Sequence, residues 1–220
     1  GNLAFNRCTF NSGAQFQTAG EEADLSASFE DCRFISNEEN VYAVWISDGT
    51  TTFNGCSFEG TRGLKMHEDY GSVIASVTVD GCTFGPLSKK PGIAIGSIRE
   101  PGTSYTSGSA TYTKPADAAV TSVTIKNSKF DRCQAGDQNN YMYETDTKTD
   151  TFTFVLETNT VIPSGDGVID QGNGTAAVAT SESLAEAIAA NYTTIKLAEG
   201  VYVIPDEAKG KTLTFIGTGD

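Results

Sequence analysis

Basic residues are scarce in this chain. Its 220 residues hold 15 Lys and Arg against 28 Asp and Glu, a formal net charge of −13. Nucleic acid is therefore not expected as a partner, because phosphate recognition needs clustered cations. An anionic polysaccharide is repelled on average, unless a local basic patch overcomes the field. No window approaches the roughly 18 apolar residues of a membrane helix, so membrane insertion is not expected, and no signal peptide is visible. No Cys-x-x-Cys element occurs, which argues against a zinc or thioredoxin-like site, and no cofactor is expected. Long apolar runs are also missing. Glycine, at 23 residues, with abundant Ser, Thr and Asn, points to short strands joined by tight turns.

What is present is a repeat. Leu3, Phe5, Cys8 and Phe10 recur as Ala27, Phe29, Cys32 and Phe34, then as Thr51, Phe53, Cys56 and Phe58. They return as Val77, Val79, Cys82 and Phe84, and once more with serine as Val123, Ile125, Ser128 and Phe130. The steps are 24, 24, 26 and 46 residues. A unit of this length cannot bury its own apolar face, so the units must stack. Alternation puts every second side chain on one face of each strand. Between the paired strands stand Asn6-Arg7, Glu30-Asp31, Asn54-Gly55, Asp80-Gly81 and Lys126-Asn127, residues that turn a corner in two steps.

Each coil needs a third strand, and the candidates are 14–18, 41–47, 63–69, 92–100 and 141–145. The 46-residue step holds the Pro, Gly, Ser and Thr-rich stretch 85–114. It reads as an excursion loop, with a degenerate extra coil as the alternative. The ladder phenylalanines read as stacked core. The cysteines read as stacked free thiols behaving as small hydrophobes, since side chains in register point the same way and cannot easily form a disulfide.

After 152–156 the pattern fades. Residues 161–181 read as a linker, and Ser183-Leu184-Ala185-Glu186 as a capping box opening a short helix with Leu184, Ala187 and Ile188 inward and Asn191 at its end. Strands are expected at 194–197, 201–204 and 211–217.

The ladder resembles the right-handed parallel β-helix of the pectin-lyase-like superfamily. The tail, with Leu184, Ile188, Ile195, Leu197, Gly200, Tyr202, Leu213, Phe215 and Gly217, is similar to the way such helices begin, an amphipathic helix capping the first coil. The fold expected is all-β: a right-handed parallel β-helix of about 24 residues per coil, with one short capping α-helix near the C-terminus. Residues 1–160 are the coils, 161–181 the linker and 182–220 a cap-like segment. The order is inverted, body first and cap last. The 18 residues from 163 to 180 can span up to about 60 Å, while five coils rise only about 24 Å. The tail is thus expected to dock on the first coil of its own or a neighbouring chain, or to open a second helix. Docking between chains would be head-to-tail self-association. The chain reads as an excised piece of a longer, secreted protein.

Enzymes of this fold, as the resemblance implies, act on polysaccharides in a groove along the coil. The matching candidates are Lys65, His67 and Asp69, which alternation sends outward together, with Arg99 alongside. The competing reading is an ordinary solvated strand face. No stretch matches a catalytic signature of the lyases, hydrolases or esterases of the fold. Trp45, Tyr42 and Tyr70 are candidates for carbohydrate stacking. Two carboxylate-rich turns, Asp146-x-Lys148-x-Asp150 and 166–173, place oxygen ligands near one another but read as solvated loops rather than calcium sites, so no metal site is expected. The preferred reading is a non-catalytic β-helix module of the extracellular space or bacterial cell surface. It would serve adhesion, structure or glycan binding, and its partner would be a polysaccharide or surface glycan. The alternative is a polysaccharide lyase or glycoside hydrolase.

Overall fold

The computed structural model describes residues 1–16, 25–136, 140–147, 151–163 and 167–218. Coil one is β1 (Asn2–Asn6), β2 (Thr9–Asn11) and β3 (Ala14–Phe16); coil two is β4 (Ser26–Glu30), β5 (Arg33–Ser36) and β6 (Val44–Ile46). Coil three is β7 (Gly49–Asn54), β8 (Ser57–Gly60) and β9 (Leu64–His67); coil four is β10 (Ile74–Asp80), β11 (Thr83–Leu87) and β12 (Ile93–Gly96). A hairpin of β13 (Ser104–Ser107) and β14 (Ala110–Thr113) follows. Coil five is then β15 (Ser122–Lys126), β16 (Lys129–Cys133) and β17 (Tyr143–Thr145), and β18 (Thr153–Glu157) with β19 (Thr160–Pro163) starts a sixth. First, second and third strands each stack with their own kind into a parallel sheet, giving a right-handed parallel β-helix.

The two-residue corners carry the register. Arg7, Asp31, Gly55, Gly81 and Asn127 all take φ between 50° and 62°, and Thr158 does the same at the sixth corner. One left-handed residue turns the chain sharply enough to start the next strand, and equal corners keep every coil in phase. Inside, the phenylalanines form two columns. Phe5, Phe29 and Phe53 stack with centroids 5.0–5.1 Å apart, and Phe10, Phe34, Phe58, Phe84 and Phe130 with centroids 4.3–5.0 Å apart. Rings across the two columns meet edge to face, as between Phe34 and Phe53 at 5.6 Å.

The residue directly after each corner does more than fill space. The thiols of Cys32, Cys56 and Cys82 each lie 3.4–3.6 Å from the carbonyl of Phe5, Phe29 or Phe53 in the coil before, and all five cysteines are free. Asn159 fills the same slot in coil six, donating to the Ile125 carbonyl at 2.9 Å and accepting from the Ser128 amide at 3.0 Å. The slot asks for a small donor that ties a corner to the preceding coil.

There is no extra coil in the 46-residue step: β10 pairs directly with β15, and the insertion leaves the coil as the β13–β14 hairpin. Its root is a buried ion pair. Lys114 Nζ lies 2.7 Å from Glu68 Oε1 with both side chains 1% exposed, and it also donates to Thr121 Oγ1 at 3.1 Å. Glu68 accepts the amides of Ile74 and Arg99 as well, so both carboxylate oxygens are hydrogen-bonded.

The C-terminal part differs from expectation in four places. Residues 161–181 are not a plain linker, since β19 belongs to the second sheet and β20 (Ile169–Asp170) and β21 (Thr175–Val178) already start another. The helix α1 (Ser181–Ala189) begins earlier than the expected box, capped by Thr180 with Ser183 in the reciprocal position. Asn191 follows it at φ 66°, as a C-terminal residue of this kind should. After β22 (Thr194–Leu197), no strand forms at 201–204; Val201 and Val203 are exposed and Pro205 ends the stretch. The last strand is β23 (Thr214–Gly217), shorter than expected. Strands β21, β22 and β23 run parallel, with α1 packed on them through Leu184, Ala187 and Ile188. Hydrogen bonds from this unit to the body reach the last two coils: Gln171 Nε2 to the Val161 carbonyl at 2.8 Å, and Lys129 Nζ to the Thr218 carbonyl at 2.7 Å.

Candidate functional site

The third sheet, β3-β6-β9-β12-β17, presents the chain's most varied chemistry. Leu64 and Met66 point inward and are fully buried, which sends Lys65 and His67 outward. In register, Gln15, Trp45, Lys65, Ala94 and Glu144 form one outward row, and His67 lies opposite Gly96 in the next. Gly96 leaves room there: a Cβ on it would lie 3.2 Å from Asp146 Oδ1 and 3.5 Å from His67 Nδ1.

Two clefts open along this face and share Tyr42 and Lys65. The first, of about 460 Å³, is lined by Lys65, His67, Lys90, Glu144 and Asp146. The second, of about 390 Å³, lies between 12–15 and 40–42, with Trp45, Arg62 and Lys65 on its walls. Lys65 is the hinge of the arrangement. Its ammonium sits 4.0 Å over the Trp45 ring and 5.5 Å from the Tyr42 ring centre, while the Arg62 guanidinium lies 5.3 Å from Tyr42. His67 meets the Trp45 ring edge-on at 5.6 Å.

Burial sets the protonation states. It pushes Lys65 below the ordinary lysine range, an effect that Asp146 opposes. It also pushes His67 below 6.5, and the positive charge of Lys65 adds to the same direction. Tyr42 is raised, by burial first and then by Glu144.

The carboxylates are held by internal donors. Glu144 pairs with Lys90 at 2.8 Å, and Asp146 Oδ1 accepts the Ser97 amide at 3.0 Å. Asp69 Oδ1 accepts the Tyr70 amide at 3.0 Å and the Ser107 hydroxyl. Its other oxygen is 3.9 Å from His67 Nε2, too far for a hydrogen bond. Arg99, expected beside this group, is taken up by the hairpin root. Its guanidinium stacks 3.5 Å from the Tyr105 ring centre and donates to the carbonyls of Glu68 and Ser97.

The aromatic candidates separate. Tyr42 and Trp45 share the second cleft, whereas Tyr70, 52% exposed, stands with Tyr112 on the hairpin side, ring centres 6.5 Å apart. Trp45 has Gln15 on one side of its row and Lys65 on the other, so no sugar ring can lie on the indole face that Lys65 covers without displacing it.

Sequence reasoning did not single out Arg62, Lys90 or Glu144. Glu144 is the fourth residue of the expected 141–145 where Lys65 is the third of 63–69, so only the register through Ala94 brings the two into one row. Lys148, Asp150 and Asp166 of the calcium candidates lie outside the described residues. Among the described residues, no three His, Cys, Asp or Glu side chains converge as a metal site. A larger cleft of about 610 Å³ lies between coil six and the C-terminal unit, but its Asn159 and Gln171 amides are already bonded to backbone carbonyls.

Compared with models of protein families, with curated proteins and with solved structures, the chain finds no match.

Proposed function

We propose that this chain is a non-catalytic β-helix module, related to the pectin-lyase-like superfamily, that binds glycan through its third sheet on a cell surface or in the extracellular space. The observation that carries the reading is the pair of clefts meeting at Tyr42 and Lys65, where Lys65 rests on the Tyr42 and Trp45 rings and Lys90 pairs with Glu144. Rigid, satisfied side chains suit recognition, because little ordering entropy is lost on binding. The first sheet supports the same reading. Its outward rows, Ser26-Thr50-Ser76-Ser122 and Ser28-Thr52-Thr78-Thr124, give a flat hydroxyl face. A glycan array probed with the intact chain tests the reading. Retention of defined saccharides, lost on Tyr42→Ala, is the expected result; no retention of any saccharide overturns it.

One observation favours a second reading, a polysaccharide lyase or hydrolase. Burial lowers the proton affinity of Lys65 inside a cleft, the direction in which a lysine must move to serve as a general base. Turnover of a bound glycan that vanishes with Lys65→Ala would establish it.

We also propose head-to-tail association of copies. Phe215 and Ile216 of β23 are 40% and 43% exposed, and Leu3 of β1 is 41% exposed on an uncharged edge strand.

A further inference from the structure

The ladder sulfurs form a column that lines neither cleft of the third sheet. Cys8, Cys32, Cys56 and Cys82 fill the same slot in coils one to four, and their backbones are tied coil to coil. The amides of Arg33, Ser57 and Thr83 donate to the carbonyls of Cys8, Cys32 and Cys56 at 2.8–2.9 Å. The side chains point the same way as well. Each sulfur lies 3.4–3.5 Å from the carbonyl two residues before it, that of Asn6, Glu30, Asn54 or Asp80. Thiols in one orientation on neighbouring coils stand apart by one coil rise, about 4.8 Å. Further along the column Cys56 and Cys82 are bonded to each other, so the open gap lies at the other end, between Cys8 and Cys32.

That gap excludes one chemistry and admits another. A disulfide needs its sulfurs about 2.0 Å apart, and all five cysteines are free. Two sulfurs joined in line through one metal ion are separated by two metal–thiolate bonds of about 2.3 Å each, close to one coil rise. Tetrahedral ions are not served. Zinc asks for four ligands, and among the described residues no three His, Cys, Asp or Glu side chains converge. Two soft sulfurs in line are the arrangement taken by closed-shell monovalent ions such as Cu(I), which thiolates select over harder cations. The gap is also reachable. Cys8 is half-buried while Cys32 behind it is 1% exposed, so an ion enters past Cys8 and is shielded from water once it sits between the two sulfurs.

We propose that Cys8 and Cys32 form a binding site for a soft monovalent metal ion of the Cu(I) class, held in linear two-sulfur coordination between the first two coils. Each thiol gives up its proton as its sulfur bonds the metal. Two S–H bonds are exchanged for two S–metal bonds, two protons leave to solvent, and the metal keeps its oxidation state. Burial raises the Cys32 thiol, so it holds its proton until a metal displaces it. The bridge fastens coil one to coil two, and it is independent of the glycan reading.

The intact chain, reduced and kept free of oxygen, is titrated with Cu(I) against a chromophoric Cu(I) chelator, and bound metal is counted by native mass spectrometry. One ion per chain is expected to be held more tightly than by glutathione, with two sulfur neighbours in X-ray absorption and a raised unfolding temperature. Zn(II) should not compete. Lowering the pH should weaken binding by about a hundredfold per unit, the linkage of two displaced protons, where a single thiol gives about tenfold. Cys8→Ser and Cys32→Ser should each weaken the site by about a hundredfold or more, since losing even an outer partner of a metal costs about 10–100-fold. Cys133→Ser, outside the column, should leave binding unchanged, and circular dichroism confirms that each variant folds. Binding no tighter than to glutathione overturns the proposal. Tight binding that survives Cys8→Ser, or absorption showing three or four sulfur neighbours, overturns it equally.

Discussion

At the scale of single residues, the slot directly after each corner shows how little of the ladder is set by hydrophobicity alone. Cys32, Cys56, Cys82, Ser128 and Asn159 share small size and a donor, and four of them reach a carbonyl of the coil before. Burial pushes the thiol of Cys32 upward, and the hydrogen bond to Cys56 together with burial does so for Cys82, whereas the same bond shifts Cys56 downward. Cys56→Ser should therefore cost only about 1 kcal/mol, the scale of one hydrogen bond. Cys56→Val, larger and without a donor, should cost about 1–3 kcal/mol. Urea denaturation of both variants checks the order. His67, the only histidine, gives a second residue-scale prediction. Its folded-state pKa is depressed, so below pH 6.5 the unfolded chain takes up a proton before the folded chain does. Its contribution to stability must therefore fall as pH falls through and below 6.5. The single imidazole signal in a proton NMR titration should have its midpoint below 6.5, and His67→Gln should flatten that part of the stability profile.

At the scale of elements, the hairpin β13–β14 depends on one buried pair. Lys114→Met strips the buried Glu68 carboxylate of its ion-pair partner, a change expected to cost about 3–5 kcal/mol. Denaturant unfolding measures that loss. Hydrogen exchange should show β13 and β14 losing protection first, because Lys114 ends the hairpin while Glu68 sits on the coil. Elements also show where the sequence could be read and where it could not. The five ladder coils, their corners and their third strands were legible because Cys or Ser and Phe recur at fixed offsets. Coil six was not, since Asn159 and Val161 replace the marker residues while keeping the same bonds and register. The expected strand at 201–204 failed for the opposite reason. Its alternation is strand-like, yet the described structure gives it no neighbouring strand and leaves Val201 and Val203 in solvent. Of the site, Lys65 and His67 followed from alternation within one strand. Lys90 and Glu144 join them only through register between coils, Arg62 stands just before β9 in the same coil, and Arg99 is drawn away by a hairpin whose buried root no local pattern announces.

At the scale of the whole molecule, stacking separates tasks by face. The first sheet turns hydroxyls outward, the interior holds two columns of phenylalanine, and the third sheet gathers cations in a chain that is acidic overall. Side chains 20 to 50 residues apart in sequence meet because each coil advances them by one strand spacing. In this way the Tyr42 and Trp45 rings of coil two come to seat Arg62 and Lys65 of coil three. The account's central claim is that this face binds glycan without transforming it. The most direct measurement is a time course of proton NMR spectra of the intact chain mixed with a glycan retained on the array. The account predicts line broadening of the glycan signals, relieved in Tyr42→Ala, with the anomeric region unchanged over days. New signals from unsaturated sugar or from free reducing ends, growing with time and absent in Lys65→Ala, would contradict it.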